Sequence, residues 1–298
     1  MGLCPIFFMA WIILCAISYI GIFVIFKLID VKGAPLLNCI VVNYLTATIL
    51  GFAIFGSFPV AHIVEANWFP IGILLGFLFI VTFLLVGISS SKTGIVITTV
   101  ASKMSLVVPM LFYIIMYGEP VSAVKIVAIL LAVASVILCT YKPSKEKTKS
   151  DIWKFLLPAI IFIAMGANDS LVIYSRERFG ISDDAALFTA TLFGISLLCG
   201  ILYSIVKKGT LRKFLTFKTW WLGILLGSFN FGSVYFVIQS MNTGIISTSS
   251  LYGICNTSTI LLSILIGVIF FKEKLTRLNV VGGICAIATI ILLAYSGM

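Results

Sequence analysis

The sequence predicts an all-α integral membrane protein of ten transmembrane helices, arranged as two inverted five-helix repeats. Three observations carry this. First, 61% of the 298 residues are hydrophobic and 10% are charged, with a mean hydropathy of +1.22; a soluble domain has roughly 45–50% apolar and about 25% charged residues. Second, apolar runs of the roughly 20 residues needed to cross about 30 Å of hydrocarbon follow one another almost without interruption. Third, the chain repeats itself. Lipid offers no partners to backbone amides, so spans of this length are helical, and the polar–apolar alternation of a membrane barrel is missing.

Taken in order, the spans fall at residues 6–27, 34–56, 68–90, 93–117, 121–141, 153–175, 184–206, 218–240, 244–271 and 276–296. Turn or charge signals separate them: Asp30 to Gly33, Phe58 to Asn67, Gly118-Glu119-Pro120, Lys142 to Asp151, Lys207 to Lys213 and Lys272 to Arg277. The first span lacks the basic leader of a signal peptide and is too long for one, so it reads as a retained helix. Glu119 and Glu273 read as the starts of the fifth and tenth helices, where the helix dipole favours a carboxylate. Phe214, Phe217, Lys218, Trp220 and Trp221 form an aromatic and basic cluster typical of a membrane interface.

The repeat is visible in short identities. Gly72-Ile73-Leu74-Leu75-Gly76 recurs as Gly223-Ile224-Leu225-Leu226-Gly227, and Thr93-Gly94-Ile95 as Thr243-Gly244-Ile245. Gly118-Glu119 corresponds to Lys272-Glu273, and Tyr141 to Tyr295, so the offset stays between 150 and 154 residues. The halves are residues 1–141 and 153–298, joined by a basic linker, 142–152. Five spans per half is an odd number, so the second half enters the membrane from the opposite face. Inverted repeats of this kind often form carriers that bind near the midplane and open to each side in turn. The glycine pairs have the spacing that allows close helix approach.

With these features the chain resembles the drug/metabolite transporter superfamily, specifically its ten-helix EamA-type members. The likeness spans the whole chain and rests on the five-plus-five arrangement, the small residue-Gly-Ile opening of the fourth and ninth spans, and the Gly-Glu or Lys-Glu turn before each final helix. It implies a basket of helices around a central cavity, lined by the first, third, fourth, sixth, eighth and ninth spans. It also implies a secondary active transporter in the plasma membrane that moves metabolites, amino acids or drugs, often outward. Similar proteins often carry a Trp-Gly-Ser-Asn-like stretch in the first span; here it reads Ser18-Tyr19-Ile20-Gly21.

Charge distribution sets orientation. The net charge of +10 reflects loop lysines and arginines beside helix ends, a membrane-topology pattern rather than a nucleic-acid surface. Sixteen basic residues lie at odd-numbered loops; Arg176 and Arg178 lie at an even one, and Lys103 and Lys125 lie within spans. The positive-inside rule then puts odd loops in the cytoplasm and both termini outside, whereas the family habit keeps the termini inside.

A charge inside hydrocarbon costs several kcal/mol unless paired or hydrated, which singles out Lys103 and Asp169. At 1.5 Å per residue they lie roughly 14 Å and roughly 24 Å from the odd-loop surface. Three readings stand: a structural ion pair, a lysine bound to backbone carbonyls, or a substrate site in which Lys103 attracts an anionic group and Asp169 an amine or a coupling proton. Asn168, Asn230, Tyr252, Asn256 and Asn43 are further candidates to hold a polar substrate, or else glue between helices.

Other functions find less in the sequence. Seven scattered cysteines without a CxxC read as small packing residues, and a single histidine, His62, makes a zinc site improbable. No HExxH, GxSxG or P-loop motif marks an enzyme or an ATP-driven pump, so no cofactor is expected. A channel predicts a continuous polar stripe, whereas polar residues here gather in one band. The alternatives are a channel or a membrane protein without transport activity. The expected partners are a small-molecule substrate, the lipid bilayer, and a coupling proton or counter-substrate; a monomer suffices to enclose the cavity.

Overall fold

A computed structural model describes residues 5–56, 60–118, 122–140, 149–179, 185–207, 211–242 and 248–296. Among these residues there is no strand. The helices are α1 (Pro5–Val31), α2 (Leu36–Phe55), a short α3 (Val60–Glu65), α4 (Phe69–Lys92), α5 (Ile95–Met104), α6 (Val107–Tyr117), α7 (Ala123–Thr140), α8 (Lys149–Phe179), α9 (Ala185–Val206), α10 (Phe217–Asn242), α11 (Thr248–Ile269) and α12 (Arg277–Ser296); a 3-10 turn (Leu211–Leu215) precedes α10.

Among the described residues six segments are long and apolar enough to cross a membrane: Met9–Val31, Leu36–Ile54, Phe69–Lys92, Ile95–Met116, Ala123–Thr140 and Leu187–Val206. Leu156–Val172, Ile254–Ile269 and Arg277–Leu293 are shorter apolar helices. The chain is therefore all-helical with membrane-crossing character. Among the described residues α10 falls in neither set.

The fourth segment departs from the expected single helix. It breaks at Ser105-Leu106, between α5 and α6. Pro109 explains the position, since proline lacks the N–H that would bond to the carbonyl four residues back and its ring collides with that carbonyl, here that of Ser105. The Val108 N–H instead bonds to Ser105 O at 2.9 Å, and the Ser105 hydroxyl donates to Ser102 O at 2.6 Å. The freed carbonyls at the end of α5 are thus partly satisfied, and Lys103 sits in that last turn.

Helices pack in an interleaved order. α1 lies against α10, α11 and α4; α2 against α10 and α9; α4 against α9 and α8; α5 against α11, α8 and α7; α6 against α8; and α7 against α12. Glycines set several of these distances. A Cβ on Gly76 would stand 2.6 Å from Ile195 on α9, one on Gly223 2.5 Å from Val42 on α2, and one on Gly227 2.6 Å from the Asn43 carbonyl. At Gly72 the nearest atom, on Trp68, is 3.6 Å away, an ordinary contact. Three of the four repeated glycines are therefore close-approach sites.

The main core gathers α1, α2, α4, α8, α9 and α10 around Tyr44, Phe26 and Phe193. Tyr44 is fully buried, with ring centroids 5.7 Å from Phe83 and 6.0 Å from Phe193. Many large apolar side chains point outward instead, among them Ile115, Leu130, Ile163 and Leu202, as a surface facing hydrocarbon requires. At the expected interfacial cluster, Phe217 is exposed and the half-exposed Trp220 donates its indole N–H to Phe214 O at 2.8 Å.

Glu273 does not begin the last helix. α12 starts at Arg277, and its first turn is closed by Thr276 and Asn279: the Asn279 N–H donates to the Thr276 hydroxyl at 3.2 Å, and the Thr276 N–H to Asn279 Oδ1 at 2.9 Å. Glu273 reaches across to α5, where it accepts the Ile95 N–H at 2.7 Å and the Val96 N–H at 3.4 Å. The expected dipole interaction exists, but with another helix. Its counterpart Glu119, along with Tyr141 and the Thr243-Gly244-Ile245 repeat, lies outside the described residues.

Candidate functional site

α5 ends where Pro109 breaks the fourth segment, so the residue one position before its end is held at an interrupted helix, the kind of backbone that lines binding sites in membrane carriers. That residue is Lys103. It is half-buried, and its Nζ lies 3.3 Å from the centroid of the Tyr19 ring on α1. A cation over an aromatic face is attracted by the ring's electron density, and a cation in the last turn of a helix also meets the negative end of the dipole.

Asp169 lies on α8. Its side chain is exposed, on a helix that packs against both α4 and α5. Among the described residues Lys103 and Asp169 form no ion pair; each acts on the other as a charge at a distance. The reading in which the two saturate each other directly is therefore set aside.

Two cysteines complete the surroundings of Lys103. Cys15 and Cys255, from α1 and α11, are both fully buried and pack together with Ile12, Tyr19 and Phe236 around them. Both thiols are free and lie within electrostatic reach of the ammonium. Cys15 and Tyr19, four residues apart, share one face of α1. Above them Trp11 stacks on Phe236 of α10, with centroids 5.8 Å apart.

The other sequence candidates sort themselves by partner. Asn168 is buried and donates Nδ2 to Thr82 Oγ1 of α4 at 3.0 Å, while its Oδ1 has no hydrogen-bond partner. Asn230 Nδ2 is likewise buried and unpartnered, as are both side-chain atoms of Asn43. Asn256, beside Cys255 on α11, is half-buried. The side chain of Tyr252 lies outside the described residues. Thr99 and Ser102, on α5 within a turn of Lys103, add two buried hydroxyls without partners. A buried polar atom left unpaired costs about 1–3 kcal/mol, so the unmet groups of Thr99, Ser102 and Asn168, next to the two charges along α5 and α8, are costly unless water or substrate meets them.

The structure thus brings Lys103 and Asp169 into one neighbourhood and adds Tyr19, Cys15 and Cys255, which the sequence reading did not select. The only signal for them was the shared helix face of Cys15 and Tyr19; nothing local connects either to α5 or α11. Among the described residues no three His, Cys, Asp or Glu side chains form a group able to hold a metal ion.

Fold and site together define an all-helical protein of membrane-crossing character with opposite charges held apart inside it. No family model matches the chain. It is similar to a protein of Haemophilus influenzae described as uncharacterized, with 24% identity over 288 residues covering 95% of this chain and 96% of the relative. The likeness therefore runs the full length of both proteins.

Proposed function

We propose that this protein is a secondary active transporter of the drug/metabolite transporter type, with ten spans in two inverted halves, residues 1–141 and 153–298. It carries a small metabolite, amino acid or drug-like compound across the cell membrane by alternating access, in the outward direction. The observation that carries this reading is the pair of opposite charges, Lys103 and Asp169, on the packed helices α5 and α8 and without an ion pair between them. A lone structural charge finds a fixed partner; charges left open in a membrane interior serve a ligand or an ion.

The helix contacts support the two-fold arrangement. α1 on α10 is matched by α8 on α4, α2 on α10 by α9 on α4, α1 on α11 by α8 on α5, and α11 on α12 by α5 on α7. The pairs α2–α9, α5–α11 and α7–α12 are each their own counterpart, as elements beside an in-plane axis would be. In this reading Lys103 receives an anionic group and Asp169 an amine or a coupling proton, with Asn230, Asn256 and Asn168 supplying polar contacts. Energy comes from a gradient or from exchange, and the basic odd loops face the cytoplasm.

The test is uptake and counterflow in proteoliposomes for a panel of amino acids, nucleosides, organic acids and cationic drugs, with and without an imposed pH gradient. Saturable counterflow of one class supports a carrier and names its substrate. Flux that never saturates indicates a channel, and no flux from folded protein counts against transport.

A further inference from the structure

We propose that Tyr19 is a positioning residue whose ring face holds the Lys103 ammonium away from Asp169, keeping both charges open to the opposite charges of a substrate. This rests on the carrier reading above. Tyr19 and Lys103 come from different helices, α1 and α5, and their contact is close, with Nζ 3.3 Å from the ring centroid. Asp169 stands on a third helix, α8, which packs against α5, and its side chain is exposed.

Left to themselves, an ammonium and a carboxylate in an enclosed space attract each other far more strongly than in water. Lysine has the reach to respond, since its charge sits on a flexible four-carbon stem. A collapsed pair would cancel both charges and offer a substrate little. Collapse is opposed only by a partner that attracts the ammonium without neutralising it, and an aromatic face does this: its quadrupole binds the cation while the net charge stays. Cys15 and Cys255, which pack beside Tyr19, are weak hydrogen-bonding groups and do not substitute for the ring.

The comparison that isolates this role is Tyr19→Phe against Tyr19→Leu, because phenylalanine keeps the aromatic face and leucine fills similar space without it. With the counterflow substrate in hand, Tyr19→Phe is expected to stay within about twofold of the parent KM, and Tyr19→Leu to raise KM about 10–30-fold with a smaller change in maximal rate. Equal KM values for the two variants would overturn the proposal.

A second readout needs no transport. Melting temperatures of Lys103→Met, Asp169→Asn and the double variant are measured in the parent and again in the Tyr19→Leu background. In the parent the two changes should add to within about 1 °C; without the ring they should depart from additivity by about 3 °C or more, as the freed lysine pairs with the aspartate. The same coupling in both backgrounds would overturn the proposal whatever the flux. Absent counterflow with altered coupling would overturn the carrier reading and leave the role of the ring standing.

Discussion

α5 meets a foreign carboxylate at its start and carries a cation at its end, and the two are treated in opposite ways. At the start, Glu273 accepts the N–H groups of Ile95 and Val96 and rests against Gly94, which at a φ of +102° carries no Cβ to obstruct it. At the end, Lys103 lies on a neutral ring, and Asp169 faces accessible space. Glu273 uses the positive end of the dipole and two otherwise unsatisfied donors, so its charge is spent on holding the helix. Lys103 and Asp169 are not spent in this way. The difference teaches that a charge at membrane depth is read by its partners rather than by its depth.

The sharpest way to break this comparison is to remove the open charges. Lys103→Ala should lower substrate affinity about 10–100-fold, the range for hydrogen bonds to charged groups, while the melting temperature changes little. Substrate-induced thermal stabilisation measures this directly, and a large loss of stability without loss of binding would make Lys103 a structural residue.

The satisfied end should behave in reverse. Gly94→Ala puts a Cβ 2.8 Å from the Glu273 carboxylate at a φ few side chains adopt, and should destabilise by about 1–3 kcal/mol. Thermal unfolding in detergent is the check; an unchanged melting temperature would mean the contact between Glu273 and α5 is not held in solution.

Packing supplies an internal control. Gly227→Ala, with its Cβ 2.6 Å from a backbone carbonyl, should cost about 1–3 kcal/mol, whereas Gly72→Ala at 3.6 Å should be nearly neutral. Equal effects would show that the repeated Gly-Ile-Leu-Leu-Gly motif packs alike at both of these positions. A modest effect is expected at Asn168→Ala, which removes one hydrogen bond to Thr82 and should lower stability by about 1 kcal/mol, read by the same melts.

Much of the fold was legible in the sequence, because hydropathy and length act locally. The expected stretches fall on helices, the fourth on two, α5 and α6, and six segments are long and apolar enough among the described residues to cross a membrane; Pro109 carried the information for the break that the periodicity alone passed over. The Gly72–Gly76 and Gly223–Gly227 repeats pointed to close packing, and three of those glycines have it. The site was legible only in its charges. Lys103 and Asp169 stand out because hydrocarbon makes them expensive, but Tyr19 and Cys255 look like any other apolar-span residues until α1 and α11 are packed against α5. Glu273 was assigned to its own helix because sequence proximity is the only neighbour a sequence shows; its actual partners, Ile95 and Val96, lie nearly 180 positions away.

The measurement that bears most directly on the two kinds of charge is counterflow by Asp169→Asn and Glu273→Gln side by side, each with its melting temperature. The expected result is that Asp169→Asn melts like the parent and carries no substrate, while Glu273→Gln melts lower and still carries it. Normal flux from Asp169→Asn together with lost flux from Glu273→Gln would contradict the assignment of the open charges to transport.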